Sequence, residues 1–185
     1  MRPHVLGIDD GPFVVGASVD TPIVGVMTEG NHPVEAVAVT RFPIDGADVT
    51  AFLAAWITGL RLHPALQAIV LGGVTIAGLA VIDLPALAAA TALPVIAVTR
   101  RDPTNHRVAD ALRAAGLADR LALLARTPPS FATSTGLHLA CAGATNDAAS
   151  ALVTACLGKA AVPEPLRLAH LIGRAVATGE SRGRV

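Results

Sequence analysis

Two acids stand side by side at the end of an apolar run, Val5-Leu6-Gly7-Ile8-Asp9-Asp10, just before Gly11-Pro12. Such a run reads as a buried strand and its stop. A carboxylate there stands where open α/β sheets place their ligands. Carboxylate oxygens are the donors Mg²⁺ takes while keeping several waters. Asp9-Asp10 therefore reads either as a divalent-metal site or as a solvated cap on the following turn. Neighbouring strand residues face opposite sides, so the two acids are not expected to share one task. A second acidic spot is Asp45-Gly46-Ala47-Asp48, whose plain reading is a turn followed by a helix N-cap. His170 follows Pro163-Glu164-Pro165 on a helical run, with Arg167 and Arg174 at spacings of three and four. It is either a ligand or acid–base group, or an ordinary helical histidine facing solvent. Arg100-Arg101 follows the apolar run 95–98 and would lie at the same sheet edge as Asp9. Other chemistries lack their marks. There is no G-x-S-x-G elbow, no phosphate-binding G-x-x-x-x-G-K-[ST] loop and no Cys/His zinc spacing. Gly72-Gly73 is too short for a dinucleotide fingerprint.

The elements that must position these residues follow from periodicity. After the first strand, residues 13–19, 22–27 and 34–42 are β-rich runs with short links, which predicts antiparallel pairing. The period then changes. Asp48 can cap a helix with Phe52, Leu53, Trp56, Ile57 and Leu60 at helical spacing. A buried strand at 68–71 and a Gly-rich turn follow, then a helix over 83–91 with Pro85 in its first turn. A strand at 95–98 leads to a helix over 105–115 closed by Gly116. Residues 119–125 fit strand or helix equally, 127–135 read as a loop, and 137–142 as a strand. Helices over 146–157, capped by Asn146 or Thr145, and 166–177 complete the order. An antiparallel start feeding parallel βαβ units gives an α/β fold, a mixed sheet flanked by helices. This is the order of the ribonuclease H-like fold, expected as a single domain over 1–178 with a mobile polar tail at 179–185.

Composition excludes several classes. Of 185 residues 52% are hydrophobic and 15% charged, which is not a disordered composition. Fourteen basic residues balance fourteen acids, so the chain is not a broadly basic nucleic-acid binder. Charge is nonetheless segregated. Residues 1–50 hold two basic residues against seven acids (−5), 51–158 seven against five (+2), and 159–185 five against two (+3). That suits a metal site beside a phosphate-binding rim, or internal charge balance. Cys141 and Cys156 make no disulfide framework and read as small buried hydrophobes. Mean hydropathy is +0.58, and residues 62–82 carry no charge. Pro64, Gln67, Gly72, Gly73 and Gly78 nevertheless break that stretch, so no membrane span is expected. With no signal-peptide pattern at the start, the expected location is cytoplasmic.

Taken together, several segments resemble one known family. They are Val5-Leu6-Gly7-Ile8-Asp9-Asp10-Gly11-Pro12-Phe13, the Gly-Val-Thr-Ile-Ala-Gly run at 73–78, Pro163-Glu164-Pro165-Leu166-Arg167-Leu168-Ala169-His170-Leu171-Ile172, and Gly179-Glu180-Ser181-Arg182-Gly183-Arg184. They resemble the mainly archaeal endonuclease dU family, related to endonuclease V, over nearly the whole chain. The resemblance implies a Mg²⁺- or Mn²⁺-dependent endonuclease acting on deaminated bases in DNA, deoxyuridine in particular. Carried over by position, Asp9 matches the first-strand metal carboxylate and Asp48 the second, from its interval to Trp56. Arg100 matches a basic residue that meets phosphate, and His170 stands where endonuclease V usually has an acid. The chain departs from the pattern after the strand 68–71, where Gly72-Gly73 replaces an Asp-Gly and removes the third carboxylate.

The resulting expectation is a metal held by Asp9 and Asp48, with Asp10 or His170 nearby. Arg100, Arg167 and Arg174 would lie on the phosphate of damaged DNA. The alternative reading is a catalytically inactive relative that binds nucleic acid or a nucleotide in the same cleft. A third is a metal-independent enzyme with His170 as acid and base.

Overall fold

Alternation and apolar content make the first strands. In the computed structural model, which describes residues 2–14, 16–101 and 107–181, β1 (His4–Asp10) is buried along its middle. It pairs antiparallel with β2 (Asp20–Glu29), which pairs antiparallel with β3 (Val34–Pro43). β2 is buried from Thr21 to Thr28, whereas β3 alternates and is exposed at Val34, Val37 and Val39. The run 13–19 forms no strand among its described residues. Instead Ser18 N–H donates to the Val14 carbonyl, and Val14 and Val19 are exposed. Pro12 and Gly16, the latter at φ +80°, break the extended backbone that the apolar residues favour.

Helix α1 (Val49–Thr58) buries Val49, Leu53 and Ile57. β4 (Ala68–Leu71) then pairs parallel with β1. A small hairpin, β5 (Thr75–Ile76) and β6 (Ala80–Val81), forms where the sequence predicts only a turn. Two-residue strands are too short to show a period. Helix α2 (Leu84–Thr91) has Asp83 as its cap, accepting the Ala86 N–H at 3.0 Å. β7 (Val95–Thr99) pairs parallel with β4. Helix α3 (Arg107–Ala114) follows; the residues 105–106 expected in it lie outside the described residues. Residues 119–125 resolve to a 3₁₀ turn and the short helix α4 (Leu121–Leu124). β8 (Phe131–Ala132), inside the expected loop, and β9 (His138–Ala142) add two antiparallel strands beside β7. Helix α5 (Asn146–Ala155) is capped by Thr145, and α6 (Glu164–Thr178) begins with Pro165 in its first turn.

The sheet order is β3-β2-β1-β4-β7-β9-β8. Its first five strands are an antiparallel meander feeding parallel βαβ units, the ribonuclease H-like arrangement. One face packs α1 and α2 over Ile8, Ile69 and Val95. The other packs α5 and α6 over Val5, Val70 and Ile96. Cys156 lies in this second core and burial pushes its thiol up to about 12, which suits an inert hydrophobe; Cys141 is half-buried, and both are unbridged. Among the described residues no helix is long and apolar enough to cross a membrane. The last residues of the expected tail, 182–185, lie outside the described residues.

Candidate active site

The site grows from the close approach of α6 to β1. A Cβ on Gly7 would collide with the Pro165 carbonyl carbon, and one on Gly173 would lie 3.1 Å from the Asp10 oxygen. Glycine at these two places lets helix and strand meet backbone to backbone. The contact sets His170, one turn before Gly173, over the end of β1. His170 Nδ1 lies 2.8 Å from Asp9 Oδ2. An ionised carboxylate only accepts, so the ring donates from Nδ1 and keeps Nε2 for another partner. Burial raises the Asp9 pKa, and the His170 charge and hydrogen bond oppose that rise.

Asp10 faces the other way, as strand alternation requires. Its Oδ2 accepts the Ala77 N–H at 2.6 Å, from the turn of the β5–β6 hairpin. Burial first, and the neighbouring Asp9 charge second, push its carboxyl up to about 6, against the pull of the Ala77 hydrogen bond. Two carboxylates thus share one strand end, one tied to a helix and one to a hairpin.

Between them opens a cleft of about 330 Å³, walled by Asp9, Asp10, Phe13, Gly72, Thr75 and Gly78. Gly72 lies where a side chain would enter this space. A Cβ there would stand 3.6 Å from Asp9 Oδ1, in ordinary contact and with no left-handed backbone to forbid it. Beyond Gly72 and Thr75 lies a larger cavity of about 620 Å³ against Ala97, Ala140, Leu124 and Pro128, and none of the described residues in its wall is titratable.

Asp9, Asp10 and His170 are brought together; Asp48 is not. Asp48 is exposed at the start of α1 and borders a separate cleft with Asp83 and Leu123. It also makes no side-chain cap bond, because its own backbone is left-handed, φ +57°. The acid of that turn which reaches the hairpin is Asp45, whose Oδ1 accepts the Leu79 N–H at 2.7 Å. Arg100 is exposed just past β7, at the edge where the parallel strands end. Arg167 is paired with Glu164 through two hydrogen bonds, which hold that carboxyl below its usual range. Arg174, one turn beyond His170, has a buried Nε without a hydrogen-bond partner. Sequence reasoning missed the Ala77 amide, since a backbone donor carries no residue-type signal. Among the described residues no group of three or more His, Cys, Asp or Glu side chains gathers as a metal cage.

Known proteins share this arrangement of elements. A UPF0215 protein of Methanothermobacter thermautotrophicus is 33% identical over 97% of this chain and 90% of its own. The crystal structure of an Archaeoglobus fulgidus protein superposes with a TM-score of 0.84 at 29% identity, covering 95% of this chain and 98% of the other. Ciona intestinalis endonuclease V, solved in complex with a 23mer DNA containing an inosine followed by a ribo-adenosine, superposes with a TM-score of 0.58 at 11% identity. That match covers 91% of this chain and 82% of the other, and shows the shared ribonuclease H-like fold. The family model of endonuclease dU matches residues 2–177, and with it the chain belongs to the endonuclease dU family.

Proposed function

We propose that the protein is a metal-dependent endonuclease that cuts DNA beside a deaminated base, deoxyuridine foremost. The observation that carries this reading is the pair Asp9 and Asp10 at the end of the central strand, with His170 set against Asp9 by α6. Burial raises both carboxyls, and the Asp9 charge raises Asp10 further, so the two acids resist being ionised together. A hard cation relieves that repulsion, and carboxylate oxygens are its preferred donors. Asp9 and Asp10 would hold Mg²⁺ or Mn²⁺, with His170 beside them. With Gly72 bare, most of the ion's shell would be water. When bound, such an ion supplies Lewis acidity at the scissile phosphate.

The chain's own groups do the rest. His170, fixed by Asp9 through Nδ1, turns Nε2 to a phosphate or leaving oxygen. Arg174 and Arg100 meet the flanking phosphates, and Arg167 joins them by exchanging Glu164 for a phosphate oxygen. The cavity beyond Gly72, uncharged among the described residues of its wall, suits a base turned out of the stack. The family membership supports the reaction class.

The test is a cleavage panel of uracil-, hypoxanthine- and undamaged oligonucleotides with Mg²⁺, Mn²⁺ and EDTA. Cleavage of uracil DNA that EDTA abolishes is the expected result. Cleavage that survives EDTA overturns the metal reading. Gly72 favours a second reading, an inactive binder; duplex binding without cleavage under every metal would establish it.

A further inference from the structure

Arg120 is among the most deeply buried charged side chains of the described residues, at 9% exposure, and no carboxylate pairs with it there. Burying a cation is costly, so its hydrogen bonds show what it is held for. Both run to backbone carbonyls. Arg120 Nη1 donates to the Leu79 oxygen at 2.8 Å and Nη2 to the Asp45 oxygen at 2.5 Å. Those two residues are themselves cross-linked. Asp45 N–H donates to the Ala77 oxygen at 2.9 Å, and the Leu79 N–H to Asp45 Oδ1 at 2.7 Å. Ala77 in turn gives its N–H to Asp10. Asp45 and Ala77 both adopt left-handed backbone, φ +53° and +49°, a conformation non-glycine residues hold only when their surroundings enforce it.

We infer that Arg120 is a positioning residue: it clamps the 77–79 turn to Asp45 and so holds the Ala77 amide that aims Asp10 into the cleft. The inference rests on the nuclease reading only in treating Asp10 as part of the reacting site; the clamp itself is a matter of backbone geometry. The 3₁₀ turn carrying Arg120 follows α3 after a short link, residues 115–117. The clamp therefore links the far end of the sheet, beyond β7, to the carboxylates on β1. Without it, the hairpin keeps its two strands but loses the fork that fixes its turn, and Asp10 loses a fixed donor.

The experiment compares wild type, Arg120→Met, Arg120→Lys and, as a control on the same module, Arg113→Met. Arg113 is exposed and, among the described residues, pairs with Asp110. Amide hydrogen exchange is read at Ala77 and Leu79, and Mn²⁺ affinity by calorimetry on the DNA-free protein. In a folded Arg120→Met the two amides should exchange at least tenfold faster, while β1 and β4 amides keep their protection. Mn²⁺ should bind about tenfold more weakly, and kcat on uracil DNA should fall with KM unchanged. Arg120→Lys, which has donors but no fork, should fall between; Arg113→Met should match wild type. Ala77 exchange and Mn²⁺ affinity within twofold of wild type in a folded Arg120→Met would overturn the inference. If Arg120→Met does not fold, Arg120→Lys decides: faster Ala77 exchange supports the clamp, wild-type exchange overturns it. Should wild type cut none of the DNAs, the nuclease reading falls, while the Ala77 measurement still decides the clamp.

Discussion

Strand β1 ends in a histidine–carboxylate pair at both extremities, and the two pairs are nearly identical in length. At its start, His4 Nδ1 lies 2.7 Å from Glu35 Oε2; at its end, His170 Nδ1 lies 2.8 Å from Asp9 Oδ2. Their surroundings differ. His4 and Glu35 sit across three antiparallel strands, both about a third exposed, with Gln67 accepting the His4 N–H. Asp9 is more buried, has a second acid beside it, and opens on a cleft whose wall lacks a side chain at Gly72. The contact alone therefore does not make a site. Desolvation, a like charge and room for a ligand do.

The largest test of that contrast is Asp9→Asn. It should lower metal-dependent cleavage by at least about a hundredfold, since a lost charge ligand forfeits several kcal/mol. Thermal stability should hold or rise, because a repelling carboxylate is gone. A well-folded Asp9→Asn that cuts DNA at the wild-type rate would put the two pairs back on equal terms.

Asp10 gives the next largest effect, on stability. Its folded carboxyl takes up a proton near 6 and the unfolded one near 3.8. The native state is thus favoured fully below 3.8 and loses that advantage as pH rises through 6. In metal-free protein at pH 7.5, Asp10→Asn should gain up to about 3 kcal/mol, or roughly 5–10 °C in Tm. At pH 3.5 it should gain almost nothing. Melting curves at both values check this; equal gains at the two would mean the acid's charge is not what strains the site.

Gly72→Asp sharpens the contrast from the cleft side. The backbone accepts a Cβ there without strain, 3.6 Å from Asp9 Oδ1. A third carboxylate should tighten Mn²⁺ by roughly tenfold, as charge count governs such sites. Calorimetry reads it directly, and unchanged affinity would move the metal away from Asp9.

The smallest effect belongs to the pair at the strand's start. Glu35→Gln should cost under about 1 kcal/mol by urea melting and leave cleavage untouched. A loss of activity would give that end of the strand a role the geometry denies it.

Much of this was legible from residue types. The Asp9-Asp10 strand end, the helix after Pro163-Glu164-Pro165 and the order of the long elements all follow from apolar period and turn residues. Asp48 did not follow. An Asp before a helical run signals a cap, but the backbone turns left-handed at both Asp45 and Asp48, and sequence spacing cannot report the sign of φ. The 13–19 run misled because its valines suit strands while Pro12 and Gly16 deny it a partner. The hairpin that holds Asp10 escaped for the opposite reason, since its two-residue strands are held by tertiary hydrogen bonds and not by any local pattern.

Asp9 and His170 are separated by 161 positions along the chain. Ribosomes add roughly 5–20 residues each second, so the histidine is made roughly 10–30 s after the acid. The β1–β3 meander pairs antiparallel within residues 4–43 and can begin to form during that interval, before β4 and α6 pack on β1. Asp9 stays open to solvent until α6 closes over Gly7, whereas Asp10 meets its hairpin partner Ala77 earlier in the chain. The protein thus acquires its chemistry late, after most of its architecture exists. A nascent chain lacking α6 would carry the carboxylates but no histidine to orient them, a built-in delay between forming the sheet and completing the Asp9–His170 pair.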